Sequence, residues 1–121
     1  MGYIRSNIEN LSLDFAVKII QLHDYLRDTV REYTISKQIV RAGTSIGANI
    51  AEAQGAQSDA DFIAKIHIAL KEARETEYWI ELLLRTNKIT QDYYDYLTDN
   101  INPLISYIVF TLKKRKDAMS K

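Results

Sequence analysis

Phe62, Ile66, Ala69, Ala73, Thr76, Ile80 and Leu83 follow one another at alternating steps of four and three. A step that averages about 3.5 residues keeps side chains on one face of an α-helix, whereas a strand needs a step of two. Neither glycine nor proline interrupts residues 59–85, so the spacing predicts one unbroken helix. A stripe this long must be covered by other elements of similar length. That demand points to a bundle.

The rest of the chain supplies such elements. Residues 13–31 carry Phe15, Ile19, Leu22 and Leu26 in a stripe, with Ser12 expected as the cap and Asp14 in the first turn. Residues 35–54 carry Ile35, Ile39, Ala42, Ile46, either Asn49 or Ile50, and Ala53. Gly55-Ala56-Gln57 reads as a helix end, and Ser58 with Asp61 three residues on as the start of the helix over 59–85. Thr90 caps a fourth helix over 91–116, in which Pro103 removes the hydrogen bond to residue 99 and predicts a kink. One proline and four glycines in 121 residues leave no room for the many turns of a sandwich or barrel. Four helices with short connections predict an all-α, up-down-up-down antiparallel bundle, residues 1–121 forming one domain.

Residues 41–49, RAGTSIGAN, break the usual composition of a helix interior. Gly43, Gly47, Ala51 and Gly55 fall every four residues on one ridge. A phosphate loop is excluded: no strand precedes Gly43 and no Gly-Lys-Ser follows. Two interior glycines cost a helix roughly 2 kcal/mol relative to alanine, so close approach of another helix is the expected compensation. Ala69 and Ala73 make the 59–85 helix the natural partner. Beside this ridge runs a polar one of Arg41, Ser45, Asn49 and Glu52, facing Lys71, Glu72, Glu75 and Glu77 of that helix. A buried Arg–Glu pair helped by Ser and Asn hydrogen bonds would fix the register of the two helices. The same ridge read as a catalytic site would need an open pocket at Arg41, Asn49, Glu52 and Glu75. It has neither a histidine nor an evident nucleophile.

Other chemistry is weakly represented. There is no cysteine, and neither His23 nor His67 has an acid three residues before it, so the di-metal bundle motif is absent. Asp24/Asp28 and Asp95/Asp99 are spaced to share a cation, but also as solvated helix faces are. No cofactor or metal is called for. Gly2–Ser6 fits a myristoylation pattern and Asn10-Leu11-Ser12 a glycosylation sequon, both short enough to arise by chance. No apolar run reaches the length of a membrane span or a secretory signal, so a cytoplasmic protein without membrane contact is expected.

Sixteen basic residues balance sixteen acidic ones. That balance argues against a surface that is basic throughout, as a dedicated nucleic-acid binder has. The exception is Lys113-Lys114-Arg115-Lys116, with Lys121 beyond, which can contact phosphates or simply complement a helix C-terminus. Just before it, residues 104–112 are apolar around nearly the whole circumference, more than one core can use. Ile105, Tyr107, Val109 and Phe110, with Tyr78 and Trp79, are therefore candidate interface residues. Eight tyrosines, Tyr93, Tyr94 and Tyr96 among them, add rings with polar tips suited to such surfaces.

The segments RAGTSIGANIAEA and DFIAKIHIALKEARETEYWIELL resemble the bacterial four-helix-bundle family encoded in intervening sequences of 23S ribosomal RNA genes. Ser45 to Glu52, Lys71-Glu72-Ala73 and Tyr78-Trp79 carry the likeness, which covers nearly the whole chain. The resemblance implies a small up-down bundle that self-associates as a homo-oligomer, a pentameric ring. A related group, the accessory proteins of diversity-generating retroelements, implies RNA or DNA as a further partner through a basic surface. Residue chemistry and resemblance together predict a non-enzymatic, ring-forming bundle with an accessory or scaffold role around nucleic acid. The alternative is an assembly module that contacts only protein.

Overall fold

The computed structural model describes residues 4–120; Gly2 of the myristoylation-like match and Lys121 lie outside them. The described residues form helices α1 (Asn7–Tyr25), α2 (Thr34–Gln54), α3 (Asp59–Arg85) and α4 (Gln91–Met119), and none of them is in a strand. Every member of the α3 stripe named above is buried, from Phe62 to Leu83.

Helix α1 begins at Asn7, not at Leu13. Ser6 is the true cap: its hydroxyl accepts from the Glu9 N–H, and the Glu9 carboxylate accepts from the Ser6 N–H at 3.0 Å. This reciprocal box satisfies two backbone donors that a helix start leaves open. Ser12 lies inside the helix, buried, donating to the Glu9 carbonyl at 2.9 Å. The sequon thus lies within helix α1, with Ser12 buried and Asn10 exposed.

The chain leaves α1 through a wide π-helical turn, Leu26–Val30, and reverses at Arg31, whose φ of 65° is left-handed. The N–H groups of Arg31 and Glu32 both reach the Leu26 carbonyl. The Glu32 carboxylate then accepts from the Thr34 and Ser36 N–H groups at 3.1 and 2.8 Å, so an acid from the turn caps α2. Gly55 ends α2 as expected, though at an ordinary φ of −97°. Ser58 and Thr90 cap α3 and α4 by accepting from the N–H groups of Asp61 and Tyr93. Helix α4 is continuous through Pro103.

Ile8 at the start of α1, Gln54 at the end of α2, Phe62 at the start of α3 and Thr111 near the end of α4 line one cavity. Successive helices therefore run in opposite directions. Helix α2 packs most extensively on α3 and then on α1, and α3 packs on α4. The contact between α1 and α4 is narrower than these. A single core of aliphatic side chains runs between them, with Ile19, Leu22, Ile46, Ile66, Leu97 and Ile108 sealed from solvent. Among the described residues no helix is long and apolar enough to cross a membrane.

Candidate functional surfaces

The polar ridge of α2 does meet α3, though not as a dry network. Arg41 forms ion pairs with Glu72, at 3.1 Å, and with Glu75. Glu75 also accepts from the Trp79 indole N–H at 3.1 Å. Glu72 is nearly covered, while the Arg41 side chain is 50% exposed. Ser45 donates to the Arg41 carbonyl and Asn49 to the Ser45 carbonyl, each one turn back in α2 itself. Their short side chains reach the preceding turn more readily than a neighbouring helix. Glu52 lies outside the cluster and faces Lys65 at 3.6 Å. The expected buried lock of Arg, Ser, Asn and Glu is thus corrected to a partly solvated Arg41–Glu72–Glu75–Trp79 clasp. Water screening limits such a pair to about 1 kcal/mol. No histidine or nucleophile joins it.

The glycine ridge packs on a different helix from the one expected. A methyl at Gly43 would stand 2.7 and 2.8 Å from two carbons of Ile19, and one at Gly47 3.2 Å from the Ser12 hydroxyl. Both neighbours belong to α1, not to α3. Ala51 is exposed. Glycine spacing reveals a close approach but cannot say which helix makes it.

The candidate interface residues divide. Ile105 is buried in the chain's own core, which removes it from any surface. Trp79 and Tyr107 are half-buried against the core, Trp79 tied to Glu75. Tyr78, Val109 and Phe110 are exposed, Phe110 at 58%. Sequence reasoning missed a second apolar surface: Leu13, Val17 and Ile20 on the outer side of α1 are each about half exposed. Their spacing of four and three was the available signal. It was obscured because the buried stripe of α1 runs beside it.

In the basic run, Lys113 pairs with Asp117 at 3.0 Å. Arg115 reaches across to Asp59 of α3 at 2.8 Å, and its guanidinium lies 3.8 Å over the Phe62 ring. Arg115 is therefore a fastener between α4 and α3 before it is a phosphate contact. Among the described residues Lys114 and Lys116 form no ion pair. Arg27 lies between Asp24 and Asp28, at 3.5 and 2.7 Å, and fills the role a shared cation would have had. Asp95 accepts from Gln91. No group of three or more acids and histidines among the described residues has metal-site geometry.

At the other end of the bundle Tyr25 of α1 meets Tyr93 of α4, ring centroids 5.5 Å apart, and Tyr96 lies 6.1 Å from Tyr93. Burial among these rings raises the Tyr93 phenol above its ordinary value, the neighbouring tyrosines adding to the shift. This cluster joins α1 to α4, whose mutual contact is narrow.

The arrangement described here has a close structural counterpart. A crystal structure of a protein of unknown function from the S23 ribosomal protein family of Bacteroides thetaiotaomicron is 49% identical, with a TM-score of 0.87. The match covers 88% of this chain and 95% of that one. No curated protein matches the chain. The model of the family described as 23S rRNA-intervening sequence protein matches residues 5–109. With the helix order, the α2–α3 pairing and the signature segments all in place, the chain belongs to the 23S rRNA-intervening sequence protein family.

Proposed function

We propose that this protein is a non-enzymatic, self-assembling helical bundle, a homo-oligomer of pentameric ring type that serves as a scaffold. The observation carrying this reading is the pair of exposed apolar surfaces left after the core is complete: Leu13, Val17 and Ile20 on α1, and Val109 and Phe110 on α4. Large apolar side chains grouped on a small domain mark contact surfaces. Light scattering on the purified chain should give about 70 kDa, five times the 14.0 kDa chain mass. A stable species of 14.0 kDa at micromolar concentration would overturn the reading.

A second reading, contact with RNA or DNA, is favoured by one feature. Among the described residues Lys114 and Lys116 form no ion pair at the C-terminal end of α4, where Lys114 lines a hollow with the exposed Phe110, and a ring of copies would repeat them around one rim. Binding of a single-stranded RNA should then weaken roughly tenfold or more between low and physiological salt, and similarly in Lys114→Glu/Lys116→Glu. Retention unaffected by either change would count for an assembly that touches protein alone.

A further inference from the structure

The cavity shared by one end of each helix has aromatic walls and a cationic edge. Ile8, Phe62, Tyr107 and Phe110 line it, and its volume is about 350 Å³, within the roughly 300–1,000 Å³ of ligand sites. Its charged lining residues are Lys114 and Arg115, and among the described residues no acid lines it. Arg115 is already engaged by Asp59 and by one face of the Phe62 ring, at 2.8 and 3.8 Å. Glu9, close by, is nearly buried and held at the Ser6 N–H. Lys114 forms no ion pair among the described residues, so it is the cation left for an incoming anion.

Phe110 and Lys114 stand one turn apart on α4, so ring and ammonium share a face of that helix. Phe110 packs edge-to-face with Tyr107 at 6.2 Å and is still more than half exposed, a ring held in place with surface left to cover. A second hollow, of about 430 Å³, adjoins the first at Phe110, Lys114 and Ala118. Its acid, Asp117, is paired with Lys113 at 3.0 Å. Two polar residues of the first hollow separate a lipid tail from a base as occupant. Thr111 spends its hydroxyl proton on the Tyr107 carbonyl, and the Gln54 amide N–H donates to the Ile50 carbonyl. Acceptor oxygens remain on both. An acyl tail would strip water from them and bring no donor. A nucleobase carries N–H groups on its edge, stacks its face on an aromatic ring and comes with a phosphate that suits an ammonium. Two hollows meeting at one ring-and-cation ridge suit a strand, in which bases and phosphates alternate.

We propose that Phe110 is a stacking platform for one base of a single-stranded nucleic acid, with Lys114 on the adjoining phosphate. This rests on the RNA or DNA reading above and specifies where a base sits. Phe110 also belongs to the apolar surface from which self-association was argued, so lost stacking has to be told from lost assembly.

Fluorescence anisotropy at low salt compares a short single-stranded RNA with an abasic strand of the same length and charge, each binding the full chain. Wild type should bind the RNA about tenfold more tightly than the abasic strand. Phe110→Leu keeps an apolar side chain and removes the ring. It should weaken RNA binding about tenfold and leave abasic binding unchanged. Phe110→Tyr, which keeps a ring, should bind both strands as wild type does. Lys114→Gln should weaken both strands by a similar factor. Both side chains are exposed, so circular dichroism should report an unchanged fold. Lost assembly would lower avidity for both strands alike, whereas a loss confined to the RNA identifies stacking. If wild type binds the two strands equally, or if Phe110→Leu weakens both equally or neither, the platform is wrong and phosphate contact stands. Wild type that binds neither strand overturns both.

Discussion

Gly43→Ala destabilises the bundle, by about 1–3 kcal/mol, although alanine is the better helix former. Propensity alone favours the change by about 1 kcal/mol. Against it stands the Ile19 side chain, with two carbons 2.7 and 2.8 Å from the new methyl and its Cβ at 3.2 Å. Ile19 is sealed in the core and branched at Cβ, so it has one strongly preferred rotamer in a helix and nowhere to swing. Relief must come from moving α1 off α2, and overpacking of this kind costs typically 1–3 kcal/mol. Urea unfolding at one fixed protein concentration measures the effect, since assembly would otherwise shift the midpoint. The cause is isolated by a cycle with Ile19→Ala, in whose background Gly43→Ala should become neutral or stabilising. Gly47→Ala is the control. Its new methyl meets a serine hydroxyl at 3.2 Å, a lighter conflict. A Gly43→Ala protein as stable as wild type would show that the close approach of α1 is not what this glycine serves.

Pro103→Ala is expected to stabilise the fold, by about 1–3 kcal/mol. The helix passes through Pro103 without a break, so the Asp99 carbonyl lacks its usual donor there and faces the pyrrolidine ring. Within a helix interior this defect costs about 3 kcal/mol or more. Asp99 and Pro103 are both exposed, so water takes part of the carbonyl's demand and lowers the expected gain. Thermal and urea unfolding should both shift in the same direction. A loss of stability would mean that Leu104 and Ile108 need the proline at 103 to reach the core.

These two sites show how much of the molecule the sequence discloses. Periodicity identified the buried face of α3 apart from Glu72, and in α2 it left open Asn49 or Ile50, which the fold settles in favour of Ile50. Period alone could not find the start of α1. The Ser6–Glu9 box was present, but Ser12 offered a second plausible cap closer to the apolar stripe. Nor could it assign a neighbour. The glycine ridge was recognisable as a close approach, yet its partner is α1 because α2 turns that ridge away from α3. In residues 104–112 an apolar side chain occurs at nearly every angle, so spacing cannot separate Ile105, which is core, from Phe110, which is surface. The clasp at Arg41 was half legible for a related reason. Opposite charges across two helices can be paired by inspection, whereas burial depends on where the backbones end up.

The unequal contacts among the helices have a thermal consequence. Helices α2 and α3 form the broad central contact, while α1 and α4 touch each other less, with Tyr25 against Tyr93 at one end. The first fluctuation to open the molecule is therefore expected to part α1 from α4 and leave the α2–α3 pair intact. Hydrogen exchange should be slowest in the middle of α2 and α3 and faster in the two lateral helices. Those lateral helices also carry the exposed Leu13, Val17, Val109 and Phe110. If copies grip one another there, as proposed above, exchange in these helices should slow as protein concentration rises.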